Sequence, residues 1–181
     1  MQTPDAIINF WFLAHGSKDW WGADPAFDRE IADQFGETHT RLALGEGFGW
    51  RRTAAGRLAE IIVLDQFSRQ LYRGSAKAFA QDGMALALSQ EAVGGGFDRE
   101  LEGERRMFLY MPYMHSESVL VHEAAVPLWA AIGGDDFQKS GDQHLAVLRR
   151  FGRFPKRNAA LGRASTPEEL AYIAEIGDRM F

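Results

Sequence analysis

Two stretches of the chain concentrate side chains that can bind anions or transfer protons. The first, LDQFSRQLYRG, carries Asp65, Arg69 and Arg73, and the second, MPYMHSE, carries His115 and Glu117. A carboxylate that lies beside a histidine, here Asp65 or Glu117 beside His115, suits general acid–base catalysis. Arginine forks bind carboxylates and phosphates through paired hydrogen bonds. These residue types predict an anion-binding site with a proton-transferring group, provided that the two stretches meet in the fold.

Asp65 lies on a helix face that the hydrophobic pattern predicts to be buried. At about 100° per residue it shares this face with Leu58 and Ile62, and a second apolar stripe lies roughly opposite. A carboxylate in such a place must be paired or must face a cleft. Arg69, four residues on, is the obvious partner. The pair is either a structural ion pair between helices, or Asp65 orients Arg69 and Arg73 toward a bound anion.

The second stretch is predicted to form a loop between two helices. Pro112 is expected to end the first helix and Ser116 to cap the next one. His115 and Glu117 would then lie at a helix N-terminus, where backbone N–H groups gather. The loop either satisfies its histidine within the protein or contacts a ligand. Together with His122, these residues match no established metal-ligand spacing, so no metal site is predicted.

A third stretch, RRFGRFPKRNAALGR, contains no acid although the chain has a formal charge of −5. It holds six cations: Arg149, Arg150, Arg153, Lys156, Arg157 and Arg163. The first two should end a helix, where cations suit the negative end of the helix dipole. The partners of the others are either the chain's own carboxylates or an external phosphate or carboxylate. In the second case the arginines of two stretches share one anion: Arg69, Arg73, Arg153 and Arg157.

Composition limits the class of protein. The 181 residues are enough for one domain, which we place at residues 1–181, with a sizeable core. A sequence pI near 5.5 argues against a nucleic-acid binder. The absence of cysteine excludes disulfides and zinc-thiolate sites. The N-terminal residues have neither a signal-peptide pattern nor an apolar run long enough to cross a membrane. We therefore expect a soluble, cytoplasmic protein without membrane partners.

The chain is predicted to be all-α. Apolar residues recur at helical spacing and strict alternation is almost absent. Three helix starts follow from a cap residue followed by proline and acid, at Thr3, Asp24 and Thr166, and Thr166 with Glu169 forms a capping box. Pro127 should kink or split a helix. We expect about eight helices in stacked antiparallel hairpins, a tetratricopeptide-like array without clear sequence repeats.

Three long motifs resemble the bacterial family catalogued as domain of unknown function 924. They are LDQFSRQLYRG, MPYMHSE and RFGRFPKRNAALGRASTPEE, and the earlier NFWF and WWGADPAFD fit the same order. The resemblance covers about residues 7–169. It implies an all-helical fold similar to tetratricopeptide-type arrays. It adds no chemistry, because the family's function is uncharacterised.

The resemblance also marks the residues that carry the family's signature, and these are the predicted site. His115 and Glu117 are the candidate catalytic residues, and the candidate ligand-binding residues are Asp65, Gln66, Arg69, Tyr72, Arg73, Tyr113, Ser116, Arg153, Arg157 and Asn158. The chain departs from the family pattern at Ser68, Gln70, Met114 and Lys156. No role is therefore predicted for an acid before His115 or for a histidine before Arg157.

Three functions stay open for this sequence. The first is a cleft of arginine, histidine and carboxylate groups that binds a small anionic ligand, a phosphate or a carboxylate, with acid–base catalysis as its potential chemistry. The second is a tetratricopeptide-like module that binds an acidic peptide or protein without catalysis. The third is that the polar clusters only stabilise the fold. No cofactor is predicted, and the sequence predicts no oligomeric state.

Overall fold

The fold is all-α, as predicted. The computed structural model describes residues 1–133 and 135–177, and within these ranges the chain forms helices and loops without a β-strand. The α-helices are α1 (Pro4–Asn9), α2 (Ser17–Trp20), α3 (Pro25–Ala43), α4 (Ala54–Ile62), α5 (Ser68–Leu71), α6 (Asp82–Gly94), α7 (Gly103–His115), α8 (Val119–Ala130), α9 (Asp135–Phe151) and α10 (Pro167–Ile176). The likeness to tetratricopeptide arrays stays a prediction.

Capping residues place the helix starts where the sequence predicts them. The side chains of Thr3 and Asp24 accept backbone N–H groups at the starts of α1 and α3. Thr166 and Glu169 form a capping box at the start of α10. In each case proline follows the cap, where its missing N–H costs nothing and its fixed φ suits the first helical turn. Local chemistry thus decides these boundaries.

The helix that carries the first polar stretch is continuous but not uniform. A π-helical segment, Val63–Phe67, joins α4 to α5, and the whole run lies in the interior of the molecule. Apolar residues on both of its sides explain this burial, because such a helix must be surrounded. Asp65 lies within the π-helical segment. Single-turn π segments inside helices frequently occur at functional sites.

Two prolines lie inside helices, which corrects the prediction that Pro112 ends its helix and excludes a split at Pro127, while a kink at Pro127 stays a prediction. Pro112 does not end its helix, since α7 continues to His115, and Pro127 does not split α8, which continues to Ala130. Each proline lies in the last turn of its helix and removes one backbone hydrogen bond, the one to the carbonyl four residues earlier. Burial of the residues around Pro112 helps to hold α7 in its helical conformation.

The cap of α8 is also corrected. Ser118, not Ser116, accepts a backbone N–H at the start of that helix, from Val121. His115 is consequently the last residue of α7 rather than a loop residue. The imidazole is therefore carried by a helix whose second half, residues 108–114, is buried, which fixes its position more firmly than a loop would.

Helices α7, α8 and α9 form the frame of the candidate site. The connection between α7 and α8 is short, and α8 packs against both α7 and α9. Short connections favour antiparallel neighbours, so α7 and α9 run in the same direction on either side of α8. Helices α7 and α9 also contact each other directly, but less extensively than either of them contacts α8. None of the helices within the described ranges has the length and apolarity that a membrane span requires.

The loop after α9, residues 152–166, is fixed by two internal carboxylates. The first is Glu117, which accepts the backbone N–H of Phe154 at 2.8 Å and two hydrogen bonds from Arg163 at 2.6 and 2.9 Å. Paired, charge-assisted bonds of this kind are strong and geometrically specific. Glu117 thereby ties the loop to the connection between α7 and α8.

The second carboxylate is Glu169 of α10. It accepts two hydrogen bonds from Arg153, at 2.7 and 2.8 Å, and the backbone N–H of Thr166 at 2.7 Å. Its side chain is also within hydrogen-bond distance of Asn158, at 3.3 Å. The bonds from Arg153 and Thr166 lower the pKa of Glu169 to about 2. The ionised form is therefore the form that the folded loop requires.

We predict that Glu169→Gln destabilises the protein at neutral pH and reduces its acid sensitivity. The pKa of Glu169 is about 2 in the folded state, against 4.5 as the ordinary value. A depressed pKa contributes stability that is fully present above the ordinary value and is lost as the pH falls toward the folded value. Thermal unfolding of both proteins from neutral pH down to about pH 3 measures this effect.

The neighbouring variant Glu168→Gln is the matched control. Glu168 is largely exposed and pairs with exposed Arg150, and ion pairs of this kind add little stability. Equal losses in the two variants, or an unchanged acid sensitivity in Glu169→Gln, would contradict the role given to Glu169.

Candidate functional site

A buried carboxylate anchors the site. The side chain of Asp65 is 1% exposed and has three polar partners. It accepts hydrogen bonds from the imidazole of His115 and the side-chain amide of Gln66, and it forms an ion pair with the guanidinium of Arg69 at 3.3 Å. Burial alone would keep this carboxyl group protonated, but these partners stabilise its ionised form. The two polar stretches of the sequence therefore meet at Asp65.

His115 is oriented by this carboxylate. Its Nδ1 lies 2.7 and 3.0 Å from the two carboxylate oxygens of Asp65. A carboxylate only accepts, so Nδ1 carries the proton and the lone pair of the neutral ring is on Nε2. The ring lines a cavity, and its hydrogen bonds to residues 1–133 and 135–177 are made through Nδ1, which leaves Nε2 without a partner there. This is the arrangement of a general base that another carboxylate holds in place.

The protonation state of the pair follows from burial and from nearby charge. Burial and the positive charge of Arg69 lower the pKa of His115, against the attraction of Asp65. Burial raises the pKa of Asp65, but the charges of His115 and Arg69 and the hydrogen bonds from His115 and Gln66 outweigh it and hold that pKa well below its usual range. The site therefore contains a carboxylate and a neutral imidazole at neutral pH.

A second carboxylate, Asp82, is shared by two arginines. Arg69 donates to both of its oxygens, at 3.0 and 3.1 Å, and Arg157 donates to one of them at 3.2 Å. Arg69 also donates to the backbone carbonyl of Asp65. The guanidinium of Arg69 is thus engaged by two carboxylates. Arg157, by contrast, bonds to a single carboxylate, that of Asp82, which it shares with Arg69.

Arg157 makes fewer hydrogen bonds than Arg69, the arginine with which it shares Asp82. Its guanidinium lies between two aromatic rings, 4.8 Å from the centre of Phe79 and 4.7 Å from that of Phe154. Its side chain is 14% exposed, and among the described residues its guanidinium donates through Nη1 to Asp82, which leaves Nε and Nη2 without an acceptor there. Burial and the nearby Arg69 lower the pKa of Arg157 to about 10. A guanidinium in this state would be stabilised by a further anion.

These groups border a cavity of about 910 Å³, a size typical of small-molecule sites. Four of the predicted site residues line it: Arg69, Arg73, His115 and Arg157. Most of the remaining wall is apolar, including Phe79, Met111 and Phe154. His144 also contributes, but burial lowers its pKa to about 3, so it adds no positive charge. The cavity is therefore an apolar space with a polar group at its border.

Several predicted residues have structural partners instead of a place on the cavity wall. Arg73, although at the border, forms two hydrogen bonds of 2.7 Å with Asp28. Tyr72 packs against the buried ring of His39. Four others lie in the interior or in the loop contacts described above: Tyr113, Glu117, Arg153 and Asn158. Ser116 contributes its backbone carbonyl, which lies 3.0 Å from Nε2 of His122.

The six cations of the third stretch find mainly internal partners. Five arginines form ion pairs with the chain's own carboxylates: Arg149 with Glu123, Arg150 with Glu168, Arg153 with Glu169, Arg157 with Asp82, and Arg163 with Glu117. Lys156 donates to the carbonyl of Gly177 at 2.8 Å. Pairing with the chain's own carboxylates, the first of the two interpretations of this stretch, therefore accounts for most of these cations. Of these five arginines, Arg157 is the one that also lines the cavity, beside His115.

Sequence reasoning missed Asp82 and Phe79. Asp82 is the first residue of α6, where an acid is expected for the helix dipole alone. Phe79 ends a short 3-10 helix, Ala76–Phe79, and its pattern in the sequence is that of an ordinary apolar residue. No local signal identifies either residue, because their partners are brought to them by the tertiary fold. Within the described ranges, no three histidine or acidic side chains are close enough to hold a metal ion.

Comparison with other proteins supports one relationship. A family model described as "Bacterial protein of unknown function (DUF924)" matches residues 7–177. The solved structure of a protein of unknown function, ATU0120 from Agrobacterium tumefaciens, is similar, with 36% sequence identity and a TM-score of 0.90 over 95% of this chain and 97% of that chain. No curated protein matches. The motifs, the family model and the shared fold agree, and the chain belongs to the bacterial DUF924 family.

Proposed function

We propose that the protein binds a small organic anion in this cavity, and that His115 exchanges a proton with the ligand. The anion would lie on Arg157, with its remaining groups against the apolar wall. Asp65 would hold the imidazole so that Nε2 faces the ligand. Glu117 has no part in this proposal, because its oxygens are occupied in fixing the loop.

The main support for the proposal is that the guanidinium of Arg157 has N–H donors left over after it bonds to Asp82. Two arginines share Asp82, and the one with fewer bonds is the one held between two rings at the cavity wall. A planar carboxylate can accept from Nε and Nη2 of a guanidinium at the same time. The aromatic rings exclude water from both faces of the group, which strengthens such a bond. A carboxylate is therefore the anion that best suits this position.

The position of His115 supports a role in proton transfer. Its neutral ring, fixed through Nδ1, can accept a proton from a bound ligand or from a water molecule beside it. The carboxylate of Asp65 would stabilise the imidazolium that forms. A histidine that only filled the core would need no open edge at a cavity wall. The proposal names no reaction beyond this transfer.

The two competing functions fit the geometry less well. A peptide-binding module would carry the signature residues along an open groove, whereas several of them are enclosed or occupied by internal partners. A purely structural role for the polar clusters accounts for Arg69 and Arg153, each of which donates two hydrogen bonds to one carboxylate. It does not account for Arg157 or for the cavity beside it.

We predict that Arg157→Gln abolishes stabilisation of the protein by benzoate. At a concentration of one hundred times its dissociation constant, a ligand stabilises the folded state by about 2.7 kcal/mol. For a chain of this size that corresponds to a rise in Tm of roughly 5 to 10 °C. Differential scanning fluorimetry with benzoate, and with inorganic phosphate as a second probe, measures the rise.

Arg149→Gln is the matched control for this experiment. Arg149 also belongs to the basic stretch, but its side chain is 60% exposed and pairs with Glu123 away from the cavity. The wild type and this control should respond equally to benzoate. If benzoate still raises the Tm of a folded Arg157→Gln protein, the anion binds elsewhere. If benzoate does not raise the Tm of the wild type, the proposal is contradicted.

We predict that benzoate binds more tightly as the pH is lowered toward and below about 6.5. The pKa of His115 in the free protein lies below its ordinary value of 6.5, so the ring is neutral there. An anion nearby stabilises the imidazolium and raises this pKa, and binding therefore takes up a proton. Isothermal titration calorimetry at several pH values, all well above the pKa of benzoic acid, measures the slope.

The variant His115→Gln keeps a polar side chain at the site and removes the titration. Its affinity for benzoate should be independent of pH in this range. A slope that is the same in the variant and the wild type would mean that another group takes up the proton, and a flat wild-type profile would contradict the role of His115.

A further inference from the structure

The cavity is elongated along two helices. On α7 its lining residues recur at helical spacing from Gly103 to His115, and on α9 they recur from Asp136 to Val147. Residues of one helix that lie three or four apart share a face, so each helix presents one continuous stripe to the cavity. With a rise of 1.5 Å per residue, the stripe on α7 is roughly 18 Å long. The space is much longer than a carboxylate group.

The two ends of this space differ in chemistry. His115, Arg69 and Arg157 lie at the end where α7 terminates. The methionines of α7 follow along the same stripe toward its start, at Met114, Met111 and Met107. From His115 back to Met107 the axial distance is roughly 12 Å. The polar groups are thus concentrated at one end, and an apolar wall continues away from them.

Across the cavity, α9 and the turn before it supply further apolar groups. Phe137 and Val147 line the space from α9, and Ile132 lines it from the turn after α8. Methionine side chains are flexible and polarizable, so they adapt to apolar ligands of different shape. The polar residues that line the cavity from α9, Ser140 and His144, hydrogen-bond to backbone carbonyls of their own helix. A wall of this composition favours a ligand body that is itself apolar and extended.

Charge limits the ligand to one negative group. At the polar end, Asp65 and Asp82 balance the charges of Arg69 and Arg157. His115 is neutral, and the other cations that line the cavity have partners within the chain: Arg73 pairs with Asp28, and Lys156 donates to the carbonyl of Gly177. This end therefore has too little excess positive charge to neutralise a dianion. At the opposite end the exposed lining residues Glu104 and Asp136 are both acidic. A second negative group on the ligand would meet these acids.

We propose that the ligand is a monocarboxylate with an extended apolar chain, of the class to which medium-chain fatty acids belong. This inference rests on the proposed anion site and adds the substrate class to it. The carboxylate lies on Arg157 beside His115, and the chain lies along the methionine stripe of α7. The chain ends near Met107, before the acidic end of the cavity.

The test measures the affinity of a series of straight-chain carboxylates by isothermal titration calorimetry, at concentrations below micelle formation. Each added methylene from butanoate to octanoate should tighten binding roughly threefold to fourfold, because burial of each methylene is worth about 0.8 kcal/mol. Octanedioate, which carries a second carboxylate at the far end, should bind at least tenfold more weakly than octanoate. Two variants accompany the series.

Met107→Glu places a carboxylate in the path of the chain at a partly exposed position. It should weaken octanoate binding at least tenfold and leave butanoate binding unchanged. Leu120→Glu is the control, because it adds the same charge at an exposed residue of α8 that does not line the cavity. It should bind both acids as the wild type does.

The outcomes separate this inference from the proposed function. If Arg157→Gln removes the binding of every acid but affinity does not grow with chain length, the anion site stands and the chain proposal is overturned. If octanoate binds equally well to the wild type, Arg157→Gln and Met107→Glu, then both proposals are overturned. Growth with chain length that is lost in Met107→Glu and kept in Leu120→Glu supports the inference.

Discussion

A carboxylate buried in the centre of a helical protein is the constraint on which the site depends. Asp65 cannot remain ionised in this environment without partners, and its environment supplies an imidazole, an amide and a guanidinium. Meeting that requirement brings the end of α7 to the π-helical segment after α4. The same contacts fix the ring of His115 and leave its other nitrogen at the cavity. The need to pair one buried charge therefore determines both how these helices pack and how the candidate base is oriented.

The positive charges of the basic stretch after α9 differ in how well they are paired. The basic stretch after α9 is largely neutralised by carboxylates from other parts of the chain, and the loop is rigid for that reason. Arg157 is the exception because its neighbours are the rings of Phe79 and Phe154 and a carboxylate that already binds Arg69. Aromatic faces attract a cation without satisfying its N–H groups. The donors that remain are what makes this end of the cavity suitable for an anion.

Local rules predicted the helices and the position of Asp65, and tertiary contacts decided the rest. The caps at Thr3, Asp24 and Thr166 follow from side-chain chemistry within one turn. The partnership of Asp65 with His115 spans fifty residues of sequence, and that of Arg157 with Asp82 spans seventy-five, so no spacing rule predicts either. Packing also overrides the local preference of Pro112. For the same reason Glu117 resembled a candidate catalytic group until its partners in the loop were known.

The central claim is that a carboxylate ligand lies on Arg157 at the polar end of the cavity. A crystal structure of the protein with 4-bromobenzoate tests it most directly, since the bromine atom locates the ligand by anomalous scattering. The account predicts carboxylate oxygens within about 2.7 to 3.2 Å of Nε and Nη2 of Arg157, beside His115, with bromine toward Met111. Bromine outside the cavity, or a carboxylate bound to exposed cations such as Arg149, would contradict it.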